Sequence, residues 1–325
     1  MSVSSVASKL SYHRPKRFRL KDLRQKKGGG GGHGDSQAAA AIDIVRLHAN
    51  DIDDLLPAMD ASRVADADDD NLAFYDATEE SFGSDEHTQA FSWVRHGTAY
   101  VAFRGTSSHQ DMLTNLDVRR SEGHALEDAD TTAVRIHNGF LRQFKAVEAP
   151  LIADLRRRSA EYSRIVFTGH SLGGALATIA ATVIGTNDAE ALGNPEIACI
   201  TFGSPRVGNR AFGRAFARAV PLDLCCRVTH YEDPVPMVPL SPFYCHVPGT
   251  SLRIGSHADA YEYAVHDDVT ALPRTERSLL LRVVLALASL HLTRPIAAHS
   301  MALYIRRLQD VRRGADPKAP DHVER

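Results

Sequence analysis

The chain has 325 residues, of which 43% are hydrophobic and 24% charged, and its formal net charge is −2. These values fit a soluble globular protein and exclude collagen-like, disulfide-dense and wholly disordered chains. A chain of this length can bury a core without disulfide bonds or a structural metal, so one large α/β domain or two small domains are expected.

The charge is unevenly distributed, because residues 1–27 carry nine Lys and Arg against the single acid Asp22. This basic segment runs into GGGGGHG at residues 28–34, and five consecutive glycines cannot hold a packed element. We therefore expect residues 1–40 to form a flexible basic arm. A solvated tail, contact with anionic lipid headgroups or nucleic acid, and an organelle transit peptide all remain open for it.

Two features bear on the location of the protein. The first thirty residues contain no apolar stretch typical of a secretory signal peptide. The most apolar run, SLLLRVVLALASLHL at 278–292, is too short to span a bilayer and is interrupted by Arg282. We therefore expect a cytoplasmic or peripheral-membrane location.

The cysteines agree with a reducing compartment, because none shows metal-ligand spacing and most lie in apolar, strand-like runs. They are Cys199, Cys225, Cys226 and Cys245, and we interpret them as buried, reduced thiols. A disulfide bond at Cys245 remains open.

The acidic segment DADDDN at residues 66–71 has the density of carboxylates that calcium prefers. A calcium loop of the EF-hand type requires Gly at its sixth position and Glu at its twelfth. Asn71 and Ala77 occupy those positions here. The sequence therefore predicts a solvated loop rather than a calcium site.

Regular elements become recognisable from residue 88. TQAFSWVR and TAYVAF, separated by the dipeptide HG, predict a strand hairpin over 88–103. The next segment, residues 139–159, has apolar residues at helical spacing, namely Phe140, Phe144, Val147, Leu151 and Leu155. It predicts an amphipathic helix.

Apolar strands then alternate with helices rich in small residues. The predicted strands are RIVFTG, EIACITFG and LCCRVTHY, and the predicted helices are LGGALATIAATVIG and NRAFGRAFARAV. Such alternation predicts a largely parallel sheet with right-handed crossovers.

The junction between the strand RIVFTG and the helix that follows it carries Gly169-His170-Ser171-Leu172-Gly173. A serine between two glycines on a sharp strand-to-helix turn is the context of a nucleophile elbow. Ser171 also lies just before a helix N-terminus, whose free N–H groups favour developing negative charge. An ordinary N-cap serine is the alternative.

A serine hydroxyl needs a base to become a nucleophile, and the base needs a carboxylate to orient it. Asp233 lies just past the strand LCCRVTHY in a proline-fixed loop, and Glu232 is the neighbouring alternative. The base must follow the acid in the chain. The candidates are His246, His257, His266, His291, His299 and His322.

An oxyanion hole requires two donors near the serine. One is the backbone N–H of the residue after the nucleophile, Leu172, and the other comes from a loop after an earlier strand. The strand TAYVAF ends in Arg104-Gly105-Thr106, where Gly105 permits close approach and Thr106 offers an N–H and a hydroxyl.

Taken together, these segments resemble the class 3, fungal-type lipase family of the α/β-hydrolase superfamily. The blocks that carry the resemblance follow in the family's order across residues 101–304: VAFRGT, IHNGF, VFTGHSLGGALA, TFGSPRVGN, HYEDPVPMVP, FYCHVPG and HSMALY. The resemblance implies an α/β-hydrolase fold, a mostly parallel central sheet flanked by helices.

The resemblance also implies particular site residues. Ser171 would be the nucleophile, Asp233 the orienting acid and His299 the base, with Thr106 and Leu172 as oxyanion donors. It further implies a lid over residues 107–118, whose apolar face would comprise Met112, Leu113 and Leu116. Asp117 resembles a family acid that hydrogen-bonds the oxyanion hydroxyl.

We therefore predict a carboxylic ester hydrolase that forms an acyl-enzyme from a lipid ester at an oil or membrane interface. It would comprise the arm (1–40), a lipase domain (41–312) and a charged tail (313–325). Peripheral membrane contact through the arm is possible, and we expect no cofactor, metal or nucleic acid; the oligomeric state stays open.

Two other functions remain. A phospholipase A1 would act on membrane glycerophospholipids, which the basic arm and apolar lid would also suit. A catalytically silent, lipase-like binding or scaffold protein would be expected to lack a triad residue. The segment 278–292 could line an acyl pocket, contact a membrane or pack in the core.

Overall fold

The computed structural model describes residues 72–77, 88–95, 97–105, 134–239, 244–255, 261–266 and 298–315. Within these ranges eight strands form one sheet whose spatial order is the chain order. They are β1 (Leu72–Ala77), β2 (Thr88–Arg95), β3 (Thr98–Phe103), β4 (Arg164–His170), β5 (Glu196–Phe202), β6 (Cys225–His230), β7 (Gly249–Ile254) and β8 (Tyr261–His266).

The centre of the sheet is parallel and its two edges are antiparallel. Strands β3 to β7 pair in parallel, whereas β1–β2, β2–β3 and β7–β8 are antiparallel pairs. The predicted hairpin is confirmed as β2 and β3, and Gly97 supplies the positive φ of 73° in its turn.

Four α-helices cover the sheet among the described residues: α1 (Asn138–Arg157), α2 (Leu172–Asn187), α3 (Arg210–Ala219) and α4 (Met301–Ala315). Side chains of α1, α2 and α3 share one core cluster with one face of the sheet. Side chains of α4 pack in a second cluster on the opposite face. The predicted α/β-hydrolase fold, a mostly parallel central sheet flanked by helices, is therefore confirmed.

Burial on both faces explains the continuous apolar sequence of the central strands. In β4, Ile165 and Phe167 belong to the core cluster under α1–α3, whereas Val166 belongs to the cluster under α4. A parallel strand covered on both sides has no solvent face, so its apolar residues do not alternate with polar ones.

The helix α1 is amphipathic as predicted. All five apolar residues that define its predicted face are buried. By contrast, α2 is buried on all sides from Leu172 to Ile184. Its two buried threonines satisfy their hydroxyls within the helix, Thr178 on the carbonyl of Gly174 and Thr182 on that of Thr178, both at 2.8 Å.

The junction of β4 and α2 is packed so closely that only glycine fits. A Cβ on Gly169 would lie 2.3 Å from the carbonyl oxygen of Gly173. A Cβ on Gly173 would lie 2.0 Å from the carbonyl oxygen of Phe103 in the neighbouring strand. These glycines hold the start of α2 against the ends of β3 and β4.

We expect Gly173→Ala to destabilise the fold by about 3 kcal/mol or more, because the new methyl group collides with backbone that cannot shift alone. Urea-unfolding curves measure the effect. The control is Gly139→Ala in α1, whose Cβ would meet His137 at an ordinary 3.4 Å. Helix propensity leaves that control unchanged or stabilised by up to about 1 kcal/mol. A wild-type unfolding midpoint for Gly173→Ala would contradict the expectation.

The cysteines are free, and Cys199 and Cys225 are buried between the sheet and its helices. Burial raises the pKa of the Cys225 thiol to about 12 and that of Cys199 well above its usual value. Buried thiols of this kind are poor nucleophiles, because the thiolate is the reactive form.

The edge strands β1 and β8, and β7 beside β8, were not predicted from the sequence. Several other predictions lie outside the described residues, namely the basic arm, the calcium-like segment 66–71, the lid 107–118 and the apolar run 278–292. The final helix continues to Ala315, past the predicted domain boundary at 312. None of the helices in the described part of the chain is both long and apolar enough to cross a membrane.

Candidate active site

Ser171 occupies a strained turn at the carboxyl edge of the sheet. It lies between His170, the last residue of β4, and Leu172, the first residue of α2. Its φ of 61° and ψ of −126° are rare for a residue with a side chain. The bordering glycines make this turn possible, and the turn places the serine at the point where strand and helix meet.

Backbone hydrogen bonds hold this conformation. The N–H of Ser171 donates to the carbonyl of Phe202 in β5 at 2.9 Å, and the Ser171 carbonyl accepts from the N–H of Gly174 at 3.0 Å. The Ser171 side chain makes no capping hydrogen bond to the helix. This observation disfavours the interpretation of Ser171 as an ordinary N-cap residue.

Asp233 is fixed by donors to both of its carboxylate oxygens. It follows β6, and its Oδ1 accepts the N–H of Val235 at 2.9 Å. Its Oδ2 lies 2.7 Å from Nδ1 of His299. Asp233 is buried, whereas Glu232, the alternative acid, is exposed. The structure therefore brings Asp233 rather than Glu232 to His299.

His299 lies just before α4 and is buried at the edge of the sheet. Because Asp233 can only accept when ionised, Nδ1 of His299 carries the proton that they share and Nε2 is the basic nitrogen. The ring of His299 lies 4.5 Å from that of His170, the residue that precedes Ser171. The hydrogen-bonded pair of His299 and Asp233 thus lies beside the residue that precedes Ser171, at the carboxyl ends of the strands.

Gly203 provides the space for the aspartate–histidine pair. It follows β5 with a φ of 56°, and a Cβ there would lie 2.9 Å from Oδ2 of Asp233 and 3.0 Å from Cε1 of His299. Gly203 was not predicted from the sequence. It could have been identified from its position directly after a buried strand, because the carboxyl ends of β4 and β5 lie side by side and Ser171 follows β4.

Of the two predicted oxyanion donors, the structure describes Leu172 but not Thr106. Leu172 begins α2, so its N–H is among the four that the helix itself does not use. Gly105 passes close to the serine, because a Cβ there would lie 3.3 Å from the Cβ of Ser171. Thr106, the next residue, lies outside the described residues, as do the lid residues Met112, Leu113 and Leu116.

Comparison with known families supports the resemblance. The family model for lipase (class 3) matches residues 100–243, a range that includes both Ser171 and Asp233. Over this range, a little under half of the chain, the protein is similar to the class 3 lipases.

Two proteins that this chain resembles are named for different activities. The secreted mono- and diacylglycerol lipase 2 of Gibberella zeae is 33% identical over 43% of this chain. A phospholipase A1-II 3 of Oryza sativa is 30% identical over 50% of it. These matches span only 39% and 43% of the relatives' own length.

The triacylglyceride lipase of Rhizomucor miehei shares the fold. Its structure superposes with a TM-score of 0.56 over 81% of this chain and 92% of that protein, at 19% identity. A likeness at this identity concerns the α/β-hydrolase fold, and it extends well beyond the segment matched by the family model.

The predicted cytoplasmic or peripheral-membrane location is wrong. The similar lipase of Gibberella zeae is named as a secreted protein, which points away from a cytoplasmic location. The prediction relied on the composition of the first thirty residues and on the interpretation of the cysteines as reduced thiols. Neither feature is decisive, because a core of this size needs no disulfide bond to be stable outside the cell.

Two residues missed by the sequence analysis support the acid. Tyr304 in α4 donates its hydroxyl to Oδ2 of Asp233 at 2.6 Å. The buried Arg206 donates its backbone N–H to Val238 and its Nη1 to Pro239, at 2.8 and 2.9 Å. Arg206 therefore fixes the loop that follows Asp233. Both lie within family-like blocks, TFGSPRVGN and HSMALY, which was the signal available.

The other candidate histidines do not meet Asp233 in the described structure. Nε2 of His246 donates to the carbonyl of Pro236 at 2.7 Å, so this ring helps to hold the proline-rich loop. His266 ends β8 at the sheet edge. His257, His291 and His322 lie outside the described residues.

His230, the last residue of β6, is buried beside the site. Burial lowers the pKa of its imidazole, although the negative charges of Glu232 and Asp233 act to raise it. Its Nδ1 accepts the N–H of Glu232 at 3.2 Å, so the ring is neutral with its proton on Nε2. The unfolded imidazole takes up a proton at a pH near 6.5. The stability that the neutral ring contributes is therefore complete above that pH and is lost as the pH falls below it.

We expect His230→Asn, which keeps an acceptor for the Glu232 N–H, to weaken this pH dependence. Urea unfolding of both proteins at about pH 7.5 and 5.5, on either side of the reference value, measures the change. The free energy of unfolding should fall less in the variant than in the wild type. An equal fall in both proteins would show that His230 does not contribute.

Proposed function

We propose that the protein is a serine hydrolase that cleaves the carboxylic esters of lipids through an acyl-enzyme. One observation carries the proposal: the buried hydrogen bond of 2.7 Å between Asp233 and His299, next to a serine in a strained strand-to-helix turn. The mono- and diacylglycerol lipase among the relatives supports an acylglycerol as the substrate.

The chemistry follows from the roles that we assign to the three residues. His299 takes the proton of the Ser171 hydroxyl through Nε2, while the oxygen attacks the ester carbonyl. Asp233 holds the ring in the required tautomer and stabilises the imidazolium that forms. His299 then gives the proton to the departing alkoxide. In the second half of the cycle water replaces the alcohol: His299 takes a proton from water, the water oxygen attacks the acyl-enzyme, and His299 returns the proton to the Ser171 oxygen.

The negative charge of the tetrahedral intermediate needs donors close to Ser171. We assign this role to the N–H of Leu172 at the start of α2 and to Thr106, next to the closely approaching Gly105. Preorganised donors of this kind contribute on the order of 10²–10³ in rate each. The lid residues Met112, Leu113 and Leu116 would bring the site into contact with a lipid surface.

The first test is hydrolysis of a short-chain p-nitrophenyl ester by the purified protein. Hydrolysis above the buffer rate is expected, because the acyl transfer requires no large lipid surface for a soluble ester. Absence of both hydrolysis and labelling by a fluorophosphonate would instead favour the lipase-like binding or scaffold protein.

A phospholipase A1 is the second candidate function, and the relative from Oryza sativa favours it. We expect fatty acid release from emulsified di- and triacylglycerol to exceed release from phosphatidylcholine vesicles at least about tenfold, or ~1.4 kcal/mol of differential transition-state stabilisation. Titration of released acid measures both rates, with Ser171→Ala as the blank. A faster rate on the vesicles would assign the phospholipase activity.

A further inference from the structure

Tyr304 lies on the first turn of α4, five positions after His299, and is completely buried. Its hydroxyl is 2.6 Å from Oδ2 of Asp233, the same oxygen that accepts Nδ1–H of His299. The carboxylate oxygen that faces the histidine is therefore shared between an imidazole donor and a phenol donor.

The direction of the phenol proton is fixed by a second hydrogen bond. The backbone N–H of His230 donates to the Tyr304 oxygen at 2.9 Å. Because that N–H occupies a lone pair of the oxygen, the phenol proton points to the carboxylate. The same hydroxyl thus connects both ends of the turn His230–Asp233, which is itself closed by the N–H of Asp233 on the carbonyl of His230 at 3.1 Å.

The ring of Tyr304 packs among the histidines of the site. It makes edge contacts with His170 at 5.8 Å and with His230 at 6.2 Å between ring centroids. The ring is thereby held by β4 and β6, while the helix that carries it also continues from His299. This packing leaves the hydroxyl little freedom to turn away from Asp233.

The phenol remains a donor over the whole working range of pH. Burial and the negative charge of Asp233 raise the pKa of Tyr304 well above its usual value. A neutral donor therefore compensates part of the carboxylate charge in a site where a buried and unpaired carboxylate is costly.

On the basis of the proposed function, we propose that Tyr304 is a positioning residue that aims Asp233 at His299 and moderates the negative charge that the carboxylate presents to the imidazole. It touches neither the substrate nor the reacting atoms. Its effect on the reaction passes through Asp233.

The charge that Asp233 presents decides how firmly His299 holds a second proton. Removal of the phenol proton leaves Oδ2 with more negative charge, which stabilises the imidazolium relative to the neutral ring. The other titratable or charged groups around this cluster are His170 on β4, His230 and Glu232 at the end of β6, Arg253 on β7 and Arg307 on α4. They are unchanged in a Tyr304→Phe variant.

The test compares Tyr304→Phe with Tyr162→Phe. Tyr162 is also a buried tyrosine whose hydroxyl donates a hydrogen bond, to the carbonyl of Leu155 at 2.8 Å, but it precedes β4 at the opposite end of that strand. Tyr304→Phe loses two buried hydrogen bonds and Tyr162→Phe loses one, so the melting temperatures of both variants should fall, and that of Tyr304→Phe should fall further.

We expect Tyr304→Phe to lower kcat on a short-chain p-nitrophenyl ester by roughly tenfold, with KM unchanged, since the change acts on the acid and base rather than on substrate binding. We also expect the acidic limb of its kcat/KM profile to move to higher pH. Tyr162→Phe should keep the wild-type kcat and profile. An unmoved limb in Tyr304→Phe, or the same kinetic loss in both variants, would overturn the proposal.

A spectroscopic measurement separates this proposal from the proposed function, because it needs no turnover. The proton between Nδ1 of His299 and Asp233 gives a far-downfield proton resonance, and its shift should change in Tyr304→Phe but not in Tyr162→Phe. An inactive wild type would count against the proposed function alone. An unchanged resonance in Tyr304→Phe would contradict the role of Tyr304 whether or not the ester is cleaved.

Discussion

Ser171→Ala is expected to abolish ester hydrolysis, with kcat reduced by a factor of about 10⁴ to 10⁶. The variant loses the only atom that can form the acyl-enzyme in the proposed mechanism. Its fold should persist, because the hydroxyl makes no capping hydrogen bond and the turn is held by backbone hydrogen bonds to Phe202 and Gly174. Initial rates on the p-nitrophenyl ester measure the loss, and the melting temperature verifies folding.

The matched control for this change is Ser92→Ala. Ser92 is likewise buried, but it lies on β2 and donates its hydroxyl to Asp154 on α1 at 2.9 Å. This variant should keep the wild-type kcat and lose only the stability of about 1 kcal/mol that a hydrogen bond typically contributes. Appreciable hydrolysis by folded Ser171→Ala, above the rate of the blank, would exclude Ser171 as the nucleophile.

Asp233→Asn is expected to lower kcat by about 10⁴-fold while leaving the shape of the site intact. If the amide NH₂ introduced by Asp233→Asn donates to Nδ1 of His299, the ring proton must move to Nε2. Nε2 is the nitrogen that should accept the serine proton, so it can no longer act as the base. KM should change little, because Asp233 is buried and would act through its hydrogen bond to His299. Steady-state kinetics across the pH range separate the two parameters.

Glu232→Gln provides the control for the acid. Glu232 is the neighbouring carboxylate and was the alternative acid in the sequence. It is exposed, whereas Asp233 forms the hydrogen bond to His299. Its loss should leave kcat within about twofold of the wild type, as is usual for an exposed side chain outside the site. A large loss in Glu232→Gln together with a small one in Asp233→Asn would reverse the assignment of the acid.

Much of the fold could be predicted because its centre is parallel and buried on both faces. The apolar runs of β4, β5 and β6, and the small-residue helix α2, are long signals that the packed sheet requires. Strand β7, by contrast, reads GTSLRI and includes half-buried polar residues, because it lies next to the edge strand β8 rather than at the centre of the sheet. Whether a segment pairs at the edge of the sheet depends on the neighbouring strand rather than on its own sequence pattern.

The site was predictable where local geometry restricts the sequence. Ser171 requires glycine on both sides, and that requirement is readable without a structure. The residues by themselves left six histidines as candidates for the base, because His299 and Asp233 are 66 positions apart in the chain and no local pattern links them. Only the resemblance selected His299, and the fold then brings it to Asp233.

Gly203, Arg206 and Tyr304 escaped prediction for a related reason. Each acts through a contact with a residue distant in the chain, and none has a reactive group that chemistry would single out. Tyr304 reads locally as an apolar position of an amphipathic helix, since its ring is fully buried in the core. Its hydroxyl acquires a role only when α4 packs beside β6.

The most direct test of the proposed acyl-enzyme site is covalent labelling with a fluorophosphonate, followed by mass spectrometry of the labelled peptide. The reagent phosphonylates a serine only when a base activates it and donors accept the oxyanion. We predict one label per chain, on Ser171, at a rate that falls sharply in Asp233→Asn. A wild-type protein that stays unlabelled, or that carries the label on a different serine, would contradict the account.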